Sequence, residues 1–159
     1  MKKIPTDKDF LKKAVIKAKE SVKAGGFPAG AILVQDGKII AEGISVGYQL
    51  HDPTSHSETS SIRNACKNLE TTDLTSATLY ASLQPYLMCF SVSNWANISK
   101  IVYGCKKTDE MVKKNYYEGF NNVEEINQKN LRQIELVYIP DFENEMLEII
   151  KDWESNLNK

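Results

Sequence analysis

Cysteine and long apolar runs are scarce in this sequence. The three cysteines, Cys66, Cys89 and Cys105, are an odd number at wide spacing, which excludes a disulfide framework. No apolar run approaches the ~20 residues that a membrane helix needs. The amino-terminal segment also lacks the apolar stretch of a signal peptide. We therefore expect a cytoplasmic protein with no membrane partner.

An excess of charge of either sign is also missing. Twenty basic residues face 21 acidic ones, for a formal net charge of -1, so no overall basic field attracts a polyanion. Lysines are concentrated in residues 2–23 and acidic residues in 141–154, which we interpret as two solvated helix faces. With 42% hydrophobic residues the chain can bury a sizeable core, and we predict a single domain over residues 1–159.

Helical and strand patterns alternate along the chain. Pro5-Thr6 introduces a helix that ends before Gly25-Gly26, and Asp36-Gly37 predicts a hairpin turn between two strands. A second helix over 55–68, capped by Thr54 or Ser55, has Ile62, Ala65, Cys66 and Leu69 on one face. The remaining predictions are strands at 78–83, 101–103 and 134–139, and helices at 86–97, 108–118 and from 142 to 153. This order predicts an α/β domain whose later strands are parallel.

Three residue types that suit a metal site lie at predicted helix starts. His56 and Glu58 fall in the first turn of the second helix, and Cys89 follows the strand that Pro85 ends. A histidine, a thiolate and a nearby carboxylate can hold zinc with an open position for water and a proton shuttle beside it. A His-x-Glu pattern on its own occurs often by chance, and its histidine more often binds no metal.

Three longer strings share an order and spacing with a known family. FPAGAILVQDGKIIAEG, HDPTSHSETSSIRNAC and TLYASLQPYLMC resemble the zinc-dependent cytidine deaminase-like superfamily. They are most similar to the branch of guanine deaminases, cytosine deaminases and tRNA adenosine deaminases. The resemblance covers about residues 10–103, and the superfamily signature is H-x-E followed by P-C-x-x-C.

The resemblance implies a fold and a site. It implies a three-layer α/β/α fold with a five-stranded mixed sheet. His56 and Cys89 match zinc ligands, and Glu58 matches the general acid/base. The residues expected at the substrate are Phe27, Ala29, Ser45, Ser57, Gln84 and Trp153. His51 is expected in a loop near the mouth of the site.

Three positions depart from the family pattern. Tyr86 stands where the first cysteine ligand is expected, and Gln84 replaces a common glutamate. A phenol has a pKa of ~10 against ~8.5 for a thiol, and its oxygen lies further from the backbone, so weak or absent zinc binding is expected. Ser45 stands where the family usually has a substrate-binding asparagine, and a hydroxyl lacks the bidentate pattern of an amide.

Two hypotheses therefore stay open for the function. The first is a hydrolytic deaminase of a purine or pyrimidine base or nucleoside, with zinc completed by Tyr86 as a phenolate or by His51, or with a different metal. The alternative is a non-catalytic protein that binds a nucleobase or acts as a partner subunit. A tRNA substrate is less favoured than a free base or nucleoside, because an RNA footprint is usually basic. The resemblance also implies a homodimer, with an interface around Phe90, Val92 and Trp95.

Overall fold

Five strands form one mixed sheet between two layers of helices in the computed structural model, which describes residues 2–157. The strands are β1 (Gly30–Gln35), β2 (Lys38–Ile44), β3 (Thr78–Ala81), β4 (Lys100–Tyr103) and β5 (Glu135–Tyr138). The helices are α1 (Asp7–Lys23), α2 (Gly47–Leu50), α3 (Ser57–Leu69), α4 (Leu87–Trp95), α5 (Asp109–Lys113), α6 (Val123–Lys129) and α7 (Glu143–Leu157), with a 3₁₀ turn at Pro140–Phe142. The predicted domain over 1–159 also takes in Met1, Asn158 and Lys159, which lie outside the described residues.

The sheet has the order β2-β1-β3-β4-β5. Strand β1 is antiparallel to both of its neighbours, whereas β3, β4 and β5 are parallel to one another. Asp36 and Gly37 both have positive φ, 51° and 75°, as a type I′ hairpin turn requires. The predicted hairpin and the predicted parallel half of the sheet are both confirmed.

Local capping explains where α1 begins. The Thr6 side chain accepts a hydrogen bond from the Asp9 backbone N–H, and the Asp9 carboxylate accepts one from the Thr6 N–H in return. This reciprocal pair satisfies amides that the first helical turn leaves without partners. The helix ends at Lys23, with Ala24 as its cap residue just before Gly25, whose φ is 91°.

Each face of the sheet covers its own core. Ile32, Tyr80 and Val102 face the layer of α1 and α7, while Leu33 and Leu79 face the layer of α3 and α4. This alternation follows from the two-residue period of a strand. The three-layer α/β/α prediction is confirmed. Among residues 2–157, no helix combines the length and apolarity that crossing a membrane requires.

Several detailed predictions are wrong. Phe90 is fully buried under the sheet and is not available to a partner, whereas Trp95 is 85% exposed and packs little within the chain. Leu69, expected on the buried face of α3, is 47% exposed because the helix ends there. The helix predicted over 108–118 stops at Lys113, and the sequence reasoning missed α2 and α6. The basic and acidic terminal segments remain exposed to solvent and are joined by the ion pairs Lys8–Asp141 and Lys19–Glu145.

Candidate active site

An ordered turn leads the chain into α3. The Asp52 carboxylate accepts hydrogen bonds from the Thr54 N–H at 2.9 Å and from the Thr54 and Ser55 hydroxyls, both at 2.7 Å. These hydrogen bonds, from Thr54 first, lower the pKa of Asp52 to about 2. Because Thr54 and Ser55 bind Asp52, neither caps α3, and His56 occupies the cap position without a side-chain bond. The turn therefore fixes His56 at the start of the helix.

A second turn, between β3 and α4, brings Cys89 to the same place. The Gln84 N–H donates to the Cys105 carbonyl at 2.7 Å, and Tyr86 is the cap residue of α4 without a side-chain bond. The Glu118 carboxylate accepts from the Leu87 and Met88 N–H groups at 3.4 and 3.2 Å. Cys89 thus lies in the first turn of α4, as His56 and Glu58 lie at the start of α3.

His56, Glu58 and Cys89 form a tight cluster. Cys89 Sγ lies 3.5 Å from His56 Nδ1 and 3.4 Å from Glu58 Oε2. The ligand atoms of the three residues all lie within 4.8 Å of one another, the one such group found among residues 2–157. The structure therefore brings Cys89 to His56 and Glu58, which lie 33 and 31 residues earlier in the sequence.

Glu58 is fully buried, and one of its two carboxylate oxygens has no hydrogen-bond partner. Oε2 accepts from the Ser57 hydroxyl at 3.0 Å, whereas Oε1 has no hydrogen-bond partner. Burial raises the pKa of Glu58, although its own backbone N–H and His56 oppose the shift. Burial, followed by the nearby Glu58, also raises the pKa of the Cys89 thiol well above its usual range. Leaving a buried carboxylate oxygen unpaired costs free energy, which is typical of a group that works on a ligand.

Tyr86 packs at this cluster as an aromatic ring. Its ring meets His56 edge-on at 4.6 Å and tilts against Tyr117 at 4.6 Å. The Tyr117 hydroxyl donates to the Gln84 carbonyl at 2.8 Å and so holds this ring stack over the turn. Burial, followed by the neighbouring Tyr117 and Glu58, raises the pKa of Tyr86 well above its usual range. Among these neighbours the phenol stays protonated at neutral pH.

A cavity of about 650 Å³ opens beside the cluster. Its lining contains five of the residues expected at the substrate: Phe27, Ala29, Ser45, Ser57 and Trp153. Gln84 is not among the lining residues: its side-chain oxygen accepts from the Lys107 N–H at 2.8 Å, and its side-chain nitrogen approaches Glu124. His51 lines the cavity as expected, outside the three-residue cluster.

Sequence reasoning missed part of the lining. Tyr48, Lys114, Asn115 and Tyr116 reach the cavity from α2 and from the loop after α5. The one local signal was the aromatic pair Tyr116-Tyr117, which falls inside the helix that the sequence predicted. Because the loop reaches the cavity through contacts that are distant in the sequence, no spacing rule places these residues near His56.

Two side chains of the cluster, His56 and Cys89, are suitable zinc ligands. His56 and Cys89 offer a nitrogen and a sulfur 3.5 Å apart at two helix N-termini. The unpaired Oε1 of the buried Glu58 provides a partner for a group bound there. Among residues 2–157 no further histidine or cysteine joins the cluster, so a third nitrogen or sulfur ligand, as catalytic zinc sites have, is not present. The cluster thus offers two side chains that could hold zinc, with a carboxylate beside them.

Comparisons with known proteins agree with this geometry. The sequence profile of the cytidine and deoxycytidylate deaminase zinc-binding region matches residues 4–105. Guanine deaminase of Bacillus subtilis (strain 168) is 45% identical over 101 residues, which are 63% of this chain and 65% of that protein. The tRNA-specific adenosine deaminase of Buchnera aphidicola (subsp. Baizongia pistaciae, strain Bp) is 40% identical over 101 residues, 64% of this chain and 62% of that protein. The matches thus span slightly less than two thirds of these curated relatives.

A solved structure extends the likeness beyond the matched sequence. The structure of guanine deaminase from Bacillus subtilis superposes with a TM-score of 0.68 at 33% identity, covering 95% of each chain. The family profile alone spans more than half of the residues and includes His56, Glu58 and Cys89. The chain therefore belongs to the cytidine and deoxycytidylate deaminase zinc-binding family.

Proposed function

We propose that this chain catalyses hydrolytic deamination of a purine or pyrimidine base or nucleoside. The observation that carries the proposal is the buried Glu58, whose carboxylate lies beside His56 and Cys89 with Oε1 unpaired, next to a cavity rich in aromatic side chains. Stacking on aromatic rings suits a flat heterocycle. The guanine and adenosine deaminases that resemble this chain support the same reaction class.

His56 and Cys89 are the residues that would hold zinc in this proposal. Zinc there supplies a water molecule whose pKa falls toward ~7. Two protein ligands bind the ion more weakly than three, since each lost ligand has to be replaced from solvent. The ring of Tyr86 limits how His56 can move, because the two rings are in contact.

Glu58 moves the proton. Deamination adds the oxygen of water to the ring carbon and releases the amine as ammonia, so a proton has to pass from the water to the leaving nitrogen. Ser57 holds Oε2 and leaves Oε1 free to take and deliver that proton. Burial raises the pKa of Glu58, which suits a group that must both accept and donate near neutral pH.

The cavity favours an uncharged substrate over a nucleotide or tRNA. Lys114 is the one lysine or arginine among its lining residues. Its ammonium is already paired with Glu110 at 2.9 Å and Glu154 at 3.0 Å, so it is not free to bind a phosphate. A free base or a nucleoside therefore fits the lining better.

Ammonia release from cytosine, cytidine, adenosine, guanine and their deoxy forms, with and without added Zn²⁺, tests the function. We expect activity on one substrate class, and a loss of ~10²- to 10⁴-fold in kcat for Glu58→Gln with zinc content unchanged. Glu70→Gln, the same change on an exposed residue past the end of α3, serves as control. Binding of a base without any ammonia release would instead support a non-catalytic nucleobase-binding protein.

We also propose that the chain is a cytoplasmic homodimer of single deaminase-like domains. The exposed Trp95 at the end of α4 supports an interface there, in place of the buried Phe90. Light scattering should give twice the mass of the 159-residue chain, and Trp95→Glu should give the monomer mass. A monomer mass for the unmodified chain would exclude the dimer.

The proposed cytoplasmic location has separate support. The three unpaired cysteines suit a reducing compartment, which cell fractionation would check.

A further inference from the structure

Three aromatic side chains from separate segments build one side of the cavity. Phe27 precedes β1, Tyr116 follows α5, and Trp153 lies on α7. We call these three residues the aromatic wall. Their rings pack edge to face, with centroids 5.2 Å apart for Phe27 and Tyr116, 5.1 Å for Phe27 and Trp153, and 5.7 Å for Tyr116 and Trp153. Contacts of this kind add modestly to stability and depend on ring geometry.

Glu154, the neighbour of Trp153, ties the aromatic wall to the loop after α5. Its Oε1 accepts from the Tyr116 hydroxyl at 2.9 Å. The Lys114 ammonium donates to Oε1 and Oε2 at 3.1 and 3.0 Å. The Glu154 side chain is 29% exposed, so water screens these charged hydrogen bonds only in part.

The end of α7 has little else to hold it. Its buried residues, Met146 and Ile150, both lie before Trp153, and every residue from 151 to 157 is at least partly exposed. The ion pair of Glu145 with Lys19 also lies in the first turn. Trp153 and Glu154 are therefore the contacts that decide where the last two turns of α7 sit beside the cavity.

We propose that Glu154 is a positioning residue for substrate binding, because it fixes Tyr116 and Trp153 in the aromatic wall. The proposal rests on the proposed function in one respect, that the cavity takes a flat base. Glu154 does not line the cavity and acts through the two rings. Its loss is expected to weaken substrate binding without changing the chemical step.

The first test measures the aromatic wall without any substrate. Trp95 and Trp153 are the two tryptophans, so a Trp95→Phe background leaves Trp153 as the fluorescent probe. We expect acrylamide to quench Trp153 about twofold more strongly in Glu154→Ala than in the Trp95→Phe background alone. In Tyr116→Phe, which keeps the ring and loses the hydroxyl, we expect a smaller increase in quenching. Glu148→Gln, an exposed change on the same helix, should leave quenching unaltered. Equal quenching in Glu154→Ala and Glu148→Gln would overturn the proposal.

The second test measures binding in the same variants, with guanine, cytosine and adenosine as probes. We expect Kd and KM to rise about three- to tenfold in Glu154→Ala, from the loss of a partly screened charged hydrogen bond, while kcat stays within about twofold. Thermal unfolding of each variant shows that it is folded. Unchanged Kd and KM, or a fall in kcat alone, would contradict the positioning role. If no probe binds the unmodified chain, the proposed function fails, and quenching alone decides whether Glu154 holds the aromatic wall.

Discussion

Replacing Gly43 with alanine should displace the helix that carries Glu58. Gly43 lies on β2 opposite Ala31 of β1, directly under α3. A Cβ atom there would stand 2.8 Å from the Ser61 backbone nitrogen and closer still to the Ser57 carbonyl oxygen. Both neighbours are backbone atoms of α3, so no side-chain rotation can relieve the overlap.

The expected cost follows from that geometry. Adding a methyl group to a packed site costs ~1–3 kcal/mol, and a clash with backbone belongs at or above the upper end. We therefore expect Gly43→Ala to lower the free energy of unfolding by about 3 kcal/mol. For a chain of this size that loss lowers the Tm by roughly 6–12 °C.

Urea unfolding followed by circular dichroism measures this change. Gly119→Ala is the control, because a Cβ there has its nearest neighbour 3.7 Å away, at the Asn121 side-chain nitrogen, and Gly119 has no positive φ. The control should change the free energy of unfolding by no more than about 1 kcal/mol, and in the stabilising direction. A Gly43→Ala variant as stable as the Gly119→Ala variant would refute the argued contact between β2 and α3.

Two further predictions concern local contacts. Asp52 has a folded pKa of about 2, below the ~3.9 of an unfolded chain. Its contribution to stability is therefore present above about pH 4 and is lost as the pH falls toward 2. Over this pH range, the free energy of unfolding measured in urea should fall less for Asp52→Asn than for the unmodified chain. An equal fall in both would count against the hydrogen bonds described for the Asp52 turn. Thr6→Ala removes one half of the reciprocal cap of α1 and should lower the free energy of unfolding by ~1 kcal/mol. No change in urea unfolding would mean that the cap adds nothing in solution.

Local turn chemistry made much of the fold predictable. Asp36-Gly37 specifies its hairpin because both residues tolerate positive φ, and Pro5-Thr6 marks the start of α1. The segment between β4 and β5 was not predictable in the same way. Lys107 contacts the turn before α4 and Glu118 contacts the first residues of α4, each about 20 to 30 residues away in the sequence. Such contacts leave no periodic pattern in the sequence.

The same distinction between local motifs and distant contacts applies to the candidate site. His56, Glu58 and Cys89 were predicted because short motifs at helix starts specify them, and the structure brings them together. The exposure of Trp95 was not predicted, because apolar residues occur around most of α4 and their spacing does not single out a buried face. The packing of Tyr86 between His56 and Tyr117 was also invisible, since Tyr117 arrives from a distant loop.

Zinc content tests the central claim most directly. The unmodified chain, Tyr86→Cys and Cys89→Ala would each be loaded with Zn²⁺, freed of unbound metal and measured by mass spectrometry, beside a titration with a chelator. We predict that the unmodified chain retains zinc, that Tyr86→Cys binds zinc more tightly, and that Cys89→Ala retains none. Zinc in Tyr86→Cys alone would contradict this prediction, because His56 and Cys89 would then be unable to hold the ion while Tyr86 occupies the third position.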